Sequence, residues 1–266
     1  ESPGLIGFSI YLWNRKLTEQ ICHKIKSSFP GVILFAGGAE ATALPRDLLN
    51  SAPFDFVISG EGELTLTETV KRLPGNRSYL DIDGIYAGNG GNGLVNSKKK
   101  QWPVPDLDLL PSPFLTGVLD VKKYPGVLWE LSRGCPFRCS FCFESRGVEG
   151  VRQFSLERIQ KELEFFEAEK VNQVFVLDPT FNRDVIRAKQ ILRIIQKTAP
   201  LIHFTFEVRT EFLDAEMAGL FAVINCSLQI GLQSAIPEIL SNVNRNFDSE
   251  KYAEKISLLN TAGVIF

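Results

Sequence analysis

Short apolar runs alternate with stretches of helical periodicity along nearly the whole chain, and this alternation limits the possible folds more than any other feature. Leu5–Leu12, Val32–Ala36 and Phe54–Ile58 read as strands, separated by helical spacing at Leu17–Lys26, Leu44–Leu49 and Leu64–Leu73. Strands that alternate with helices imply parallel sheets covered by helices, so the expected class is α/β. Ile85–Val95, interrupted by glycines and asparagines at 88–93, reads as a hairpin with a flexible tip. The texture then changes. Pro103, Pro105, Pro111, Pro113 and Pro125 fall in a stretch poor in helix formers, and proline both fixes the backbone and removes a donor. Residues 101–124 are therefore expected to form an extended connector between a first domain at 1–100 and a second at 125–266.

Beyond the prolines the alternation resumes. Strands are expected at Val127–Leu131, Val174–Leu177, Phe204–Val208, Leu228–Leu232 and Val264–Phe266, and helices at Leu156–Ala168, Val185–Gln196 and Ser249–Leu259. In the first of these helices Ser155 can cap the start, Glu157 suits the positive first turn, and Leu156, Ile159, Leu163 and Phe166 share a stripe. The strands have one polar face. Phe204, Phe206 and Val208 alternate with His203, Thr205, Glu207 and Arg209; Leu228, Ile230 and Leu232 alternate with Ser227, Gln229 and Gln233. An apolar face toward helices and a polar face away from them suits a (β/α) barrel with a functional interior, whose sites gather at the carboxyl ends of strands. The competing arrangement is an open sheet with one solvated face.

One loop concentrates reactive chemistry at such a strand end. Cys135, Cys139 and Cys142 lie in RGCPFRCSFCFE, from Arg133 to Glu144. Three thiolates can hold a metal, and three is one fewer than a closed tetrahedral site uses, so a coordination position stays open. Zinc would need a fourth ligand, and the only histidines, His23 and His203, are remote in sequence. A ferredoxin-like carrier would need a fourth cysteine. Inert buried thiols on one helix face are the remaining alternative, opposed by Gly134 and Pro136. Cys22 and Cys226, in apolar surroundings, read as small core residues.

The composition removes several function classes. With 29 basic and 31 acidic side chains the formal charge is −2, which argues against a nucleic-acid surface. Lys98, Lys99 and Lys100 are the single basic run and read as solvated. No run approaches the roughly 18 apolar residues of a membrane span. Clustered cysteines suit a reducing compartment, so a cytoplasmic location is expected. The chain starts at Glu1 and stops at Phe266 within an apolar run, and is read as a fragment of a longer protein.

The pattern C-x-x-x-C-x-aromatic-C, after the first strand of an expected barrel, resembles the signature of the radical S-adenosylmethionine (SAM) superfamily over about residues 125–266. The resemblance implies a 4Fe–4S cluster on Cys135, Cys139 and Cys142, with SAM on the fourth iron and reductive cleavage of its carbon–sulfur bond to a 5′-deoxyadenosyl radical. It implies that Phe141 packs beside the adenine and that Glu207 and Arg209 make polar contacts to the cofactor. Gly231-Leu-Gln-Ser234, followed by Arg245, resembles the coproporphyrinogen-dehydrogenase-like branch, in which Gln233 and Arg245 would contact the ribose and carboxylate. The family's glycine-glycine-glutamate stretch is replaced by LDPTFN, 177–182, where Asp178 is the candidate for the methionine amino group.

The first half resembles the cobalamin-binding domain that precedes many such barrels, through GFSIY at 7–11, LFAGGAEATALP at 34–45 and FDFVISGEGE at 54–63. That resemblance implies a Rossmann-like (flavodoxin-like) domain whose first strand lies before Glu1, with Ser9, Gly37, Gly38, Glu40, Thr42, Gly60 and Glu61 near the corrin and its nucleotide tail. His23, mid-helix, reads as a surface residue and not as a cobalt ligand. Together these imply a radical SAM enzyme, with cobalamin, performing methyl transfer or another radical modification of a small-molecule or peptide substrate. An electron donor such as flavodoxin or ferredoxin is implied, without a membrane or nucleic-acid partner. The rivals are a cobalamin-independent radical oxidoreductase or sulfur-inserting enzyme with a vestigial first domain, and a non-catalytic metal-binding module.

Overall fold

A computed structural model describes residues 3–75, 78–88, 94–96, 103–144, 150–245 and 248–266. The chain divides into two compact units, Glu1–Val104 and Pro105–Phe266.

The first unit runs β1 (Leu5–Ser9), α1 (Arg15–Ser28), β2 (Ile33–Gly37), α2 (Ala39–Ala43), α3 (Pro45–Ser51), β3 (Phe56–Ile58), α4 (Glu63–Arg72), β4 (Ile85–Gly88) and β5 (Leu94–Asn96). The sheet order is β1-β2-β3-β4-β5. The first three strands are parallel, and the expected hairpin extends the sheet antiparallel from β3. Its tip at 89–93, and the lysines at 98–100, lie outside the described residues. Period-2 alternation covers both faces: Leu34 and Ala36 enter one core with Cys22 and Leu48, while Ile33 and Phe35 pack on the other with Phe56 and Ile85. Each large side chain so buried stabilises the unit by about 1.5–3 kcal/mol.

The second unit contains β6 (Val127–Trp129), β7 (Ser132–Arg133), β8 (Arg152–Gln153), α5 (Leu156–Ala168), β9 (Gln173–Val176), α6 (Val185–Thr198), β10 (His203–Val208), α7 (Ala215–Ala222), β11 (Cys226–Ile230), α8 (Pro237–Asn242) and α9 (Ser249–Ala262). Four strands form a parallel sheet in the order β11-β10-β9-β6, each newly made strand joining beside the last. That succession of strand and helix is how a (β/α) barrel winds. Trp129, Phe166, Phe204, Phe206 and Phe221 are fully buried in the core of this unit. On β10, Phe204, Phe206 and Val208 are buried, whereas His203, Thr205 and Glu207 are half-buried.

Helix α5 follows its sequence closely. The Ser155 hydroxyl accepts from Arg158 N at 3.1 Å, and Ile159, Leu163 and Phe166 are buried. Glu162, on the same face, is buried as well, and its carboxylate accepts from Trp129 Nε1 at 2.7 Å and from Arg158 Nε at 3.1 Å. Those partners offset the cost of burying the charge.

The structure differs from the sequence reading in several places. Residues 105–124, expected as an extended connector, pack within the second unit: Phe114 and Val121 join its core, and the segment forms 3-10 turns at Leu107–Leu109 and Val121–Lys123. Regularly spaced apolar residues among the prolines outweigh the stiffness of the backbone. Val264–Phe266, expected as a strand, contributes an isolated parallel bridge between Ile265 and Ser227. Helices α7 and α8 were not expected, because α7 is apolar on nearly every side and α8 spans 6 residues, too few to show a period.

Candidate active site

The cysteine loop is gathered at its base by the two-residue ladder of β7 and β8, in which Ser132 faces Gln153 and Arg133 faces Arg152. Gly134 takes φ +99°, and a Cβ there would lie 2.5 Å from the Gly150 carbonyl oxygen, so the neck of the loop admits glycine alone. Beyond the neck, Cys135, Cys139 and Cys142 line a cavity of about 360 Å³. The other walls come from carboxyl ends of strands and the loops after them: Pro179 and Thr180 after β9, Glu207 and Arg209 at the end of β10, Gln229, Gly231 and Gln233 at the end of β11, and Arg245 beyond α8.

Five of the six residues assigned to SAM from sequence thus meet around the thiols. Phe141, 57% exposed, presents an apolar face on the loop. Burial, and then the neighbouring Glu144, push the Glu207 carboxyl above the ordinary glutamate range. Arg209 is buried, with its guanidinium 3.8 Å over the Phe137 ring and Nε donating to Glu211 at 3.0 Å. Burial acts to raise the Glu211 carboxyl, but the hydrogen bond from Arg209 leaves it below its usual value. Arg209 therefore props the middle of the cysteine loop as well as lining the cavity.

Gly231 leaves its backbone bare to two side chains. A Cβ there would come within 2.5 Å of Gln233 Nε2 and 3.3 Å of Arg245 Nη2, so both side chains lie across the bare backbone. Gln233 itself holds φ +58°, a left-handed conformation that costs a non-glycine residue energy and marks functional loops. Arg245 Nη2 donates to the Gly231 carbonyl at 2.8 Å, while its Nε is buried without a hydrogen-bond partner among the described residues. A buried guanidinium nitrogen beside a cavity, without a partner among the described residues, suits an anionic acceptor.

Asp178 does not join this set. It is buried, absent from the walls just described, and its carboxylate is engaged at the foot of the cysteine loop. Oδ1 accepts from Leu131 N and Ser132 N, both at 2.9 Å, and Oδ2 accepts from Ser132 Oγ at 2.6 Å. Burial pushes this carboxyl up to about 6 despite those three donors. Expected at the methionine amino group, Asp178 instead has its acceptors engaged by Leu131 and Ser132 in this structure.

The donor chemistry fits a cluster better than a single ion. Among the described residues no three Cys, His, Asp or Glu side chains converge on one ion. A polynuclear iron–sulfur cluster instead takes each thiolate on a separate iron, which suits thiols spread around one cavity wall. Burial, and then the nearby Cys142 and Cys139, raise the Cys135 thiol. Cys22 and Cys226 are buried elsewhere, their thiols raised by burial to about 11 and about 12.

Several contributors carry little local signal. Asn182, fully buried, pairs with the backbone of Arg209; Asn244 donates from Nδ2 to the Arg138 carbonyl at 2.7 Å, and Ser140 N donates to Val243 O at 3.0 Å.

In the first unit, the carboxyl ends of β1, β2 and β3 carry the other assigned residues. Gly38 takes φ +96°, with Ile10 N and O and Ser9 Oγ each 3.0 Å from where a Cβ would sit. Gly60, at φ +95°, donates from N to Thr42 Oγ1 at 3.0 Å, and Thr42 in turn donates to the Gly38 carbonyl at 3.0 Å. This binds the loops after β2 and β3 to each other. Glu40 pairs with Arg15 at 3.1 Å and Glu61 accepts from Val104 N at 3.1 Å, so both acids have partners inside the unit. Beside Ser9, Tyr11 and Trp13 stack with centroids 4.7 Å apart, and Trp13 is 80% exposed, an apolar platform at the same strand ends that sequence reasoning passed over. His23 lies on α1 with Nε2 3.3 Å from the Ser51 carbonyl.

Comparison with known proteins decides the family. The pattern described as the Radical SAM superfamily matches residues 129–266, more than half of the chain. The chain belongs to the radical SAM superfamily. Its members use a 4Fe–4S cluster and SAM. The pattern of the B12 binding domain matches residues 1–70 of this radical SAM protein. The chain is 32% identical over 192 residues to the cobalamin-dependent radical SAM methyltransferase TokK of Streptomyces tokunonensis, covering 67% of this chain and 28% of that one. It is 27% identical over 271 residues to the 2-(S-pantetheinyl)-carbapenam-3-carboxylate methyltransferase of Streptantibioticus cattleyicolor, covering 94% and 39%. The chain therefore spans well under half the length of either relative. Among solved structures, the cobalamin-dependent SAM radical enzyme OxsB with aqua-cobalamin superposes with a TM-score of 0.82 at 21% identity, covering 99% of this chain and 40% of that one. The methyltransferase TsrM from Kitasatospora setae, with cobalamin and a [4Fe-4S] cluster, gives 0.78 at 19%, covering 99% and 55%. These likenesses show a shared fold, a B12-binding-type α/β domain followed by a radical SAM α/β domain. No described helix is long and apolar enough to cross a membrane.

Proposed function

We propose that this chain carries the cofactor-holding parts of a cobalamin-dependent radical SAM methyltransferase that methylates an unactivated carbon of a small molecule. The observation that carries the reading is the cavity where Cys135, Cys139 and Cys142 share walls with Arg245, whose buried Nε lacks a partner among the described residues. When bound, the cluster and SAM supply one-electron cleavage of a carbon–sulfur bond, and methylcobalamin supplies a transferable methyl group.

The chain's own residues hold and orient. The three thiolates would ligate three irons and leave the fourth open. Arg245 and Gln233 offer donors to a carboxylate and to sugar hydroxyls, Glu207 offers an acceptor to an ammonium, Arg209 adds positive charge, and Phe141 offers a flat face to a purine. In the first unit Ser9, Gly37, Gly38, Thr42 and Gly60 form the rim for the corrin and its nucleotide tail, where bare backbone permits close approach. Glu40 and Glu61, already partnered, shape that rim instead of reaching out of it. The names of the two relatives, both methyltransferases and one cobalamin-dependent, support the same reading. Electrons would come from a flavodoxin- or ferredoxin-type donor, and clustered free thiols suit the reducing cytoplasm.

The test is the metal content of protein purified without oxygen. About four irons per chain, with stoichiometric cobalt after cobalamin is supplied, supports the proposal. Iron without cobalt replaces it with a cobalamin-independent radical enzyme, and zinc alone overturns it.

A further inference from the structure

We propose that Asp178 is a positioning residue for the cluster, acting through the foot of the cysteine loop and not through contact with SAM; the inference rests on the radical SAM reading of this cavity. The geometry points one way. The side chain is 5% exposed, and both carboxylate oxygens are committed to the junction between β6 and β7: Oδ1 to Leu131 N and Ser132 N, Oδ2 to Ser132 Oγ. Leu131 and Ser132, followed by Arg133, lead into the neck at Gly134 that opens onto Cys135.

The same segment is held by a further contact. The Leu131 carbonyl accepts from Phe154 N at 3.1 Å, and the Phe154 carbonyl accepts from Arg187 on α6. The loop leaving β9 therefore fixes the segment after β6 twice over: Leu177 N donates to Trp129 O at 2.8 Å, and Asp178 accepts from the N–H groups of Leu131 and Ser132. The side chain replaces the ladder where the backbone turns away into the loop. A loop whose foot is fixed in this way presents its thiols to a cluster with less conformational freedom to lose on binding.

Position in the chain alone would suggest a second role, a charge contact with the ammonium of SAM, and the two roles predict different variant series. In Asp178→Asn the amide oxygen still accepts both N–H groups, and the amide nitrogen donates to Ser132 Oγ. Geometry survives while the negative charge is lost. In Asp178→Ala the anchor is gone. Ser132→Ala removes one of the three bonds and leaves the charge.

The experiment uses the full chain, reconstituted with iron and sulfide without oxygen. Iron per chain, the electron paramagnetic resonance spectrum of the reduced cluster before and after SAM is added, and the SAM dissociation constant are compared for parent, Asp178→Asn, Asp178→Ala and Ser132→Ala. Expected are parent-like iron and spectrum for Asp178→Asn, a roughly tenfold or greater weakening of cluster retention with a broadened spectrum for Asp178→Ala, and an intermediate result for Ser132→Ala. If Asn is as poor as Ala in SAM binding while both keep the parent's iron and cluster spectrum, Asp178 is a cofactor contact and the proposal is overturned. An Ala variant indistinguishable from parent overturns it too. A parent that takes up no iron sinks the radical SAM reading itself, a result separable from either of these.

Discussion

The side chain of Asn182 pairs with both backbone groups of Arg209: Nδ2 donates to the carbonyl at 2.8 Å, and Arg209 N donates to Oδ1 at 3.0 Å. Asn182 is fully buried, so the loop after β9 continues the sheet pairing by a side chain and sets the backbone from which Arg209 reaches Phe137. Replacing it by alanine leaves a buried N–H and C=O without partners, at a cost on the order of 2 kcal/mol. Asn182→Ala is expected to lower the urea midpoint accordingly and to weaken SAM binding as well, both measurable on the reconstituted protein.

Asp178 makes stability depend on acidity. Its carboxyl is held near 6 when folded, above the ordinary 3.8, because burial penalises the ionised form. Protonation therefore favours the folded state: this contribution is complete below the unfolded value and is lost as pH rises through the folded one. A difference of that size amounts to about 3 kcal/mol at most. Urea titrations between about pH 4 and pH 6 should show parent stability falling relative to Asp178→Asn, with the gap constant at higher pH. A gap that does not change across this window would remove the buried-carboxyl explanation.

At Gly231 the expected effect falls on the ligand and not on the fold. The atoms a new methyl would meet are the flexible ends of Gln233 and Arg245, which can swing away. Gly231→Ala should leave the urea midpoint within about 0.5 kcal/mol of parent while weakening SAM binding about tenfold, or ~1.4 kcal/mol. Equilibrium dialysis with SAM distinguishes this from a general loss of structure.

Gly38 is the opposite case. At φ +96°, with Ile10 backbone atoms at 3.0 Å, an added methyl has nothing flexible to displace except Ser9 Oγ. Gly38→Ala should strain the rim by about 1–3 kcal/mol and lower cobalt per chain, with iron per chain unchanged. Loss of both metals together would place the effect on folding at large.

Thiol reactivity should follow burial. Cys135 and Cys142 are half-buried, whereas Cys22 and Cys226 are buried with thiols raised to about 11 and about 12. The thiolate is the reactive form. Iodoacetamide on folded, cluster-free protein should therefore modify Cys135 and Cys142 ahead of Cys22 and Cys226, as read by peptide mass spectrometry.

What could be read from sequence were features whose cause is local. The helix from Leu156 begins and ends where its cap and stripe place it, and the cysteine spacing needs no partner to be recognised. Glu207, Arg209 and Gln233 were traceable because strand ends in such folds converge. Asp178 was not, because the direction of a short acidic side chain depends on which neighbouring strand leaves N–H groups open, 46 and 47 residues away. Residues 105–124 misled for a related reason: proline content reports backbone stiffness but not what Phe114 and Val121 will meet.

The contacts from Val243 and Asn244 back to Ser140 and Arg138 have a consequence for biosynthesis. The Asn244–Arg138 bond joins residues 106 positions apart, so the middle of the cysteine loop acquires this support only after more than a hundred further residues have left the ribosome. At about 5–20 residues per second the nascent thiols wait several seconds for it. Iron delivered during that interval would meet a loop without its distal brace, which favours cluster delivery after Val243 and Asn244 have emerged.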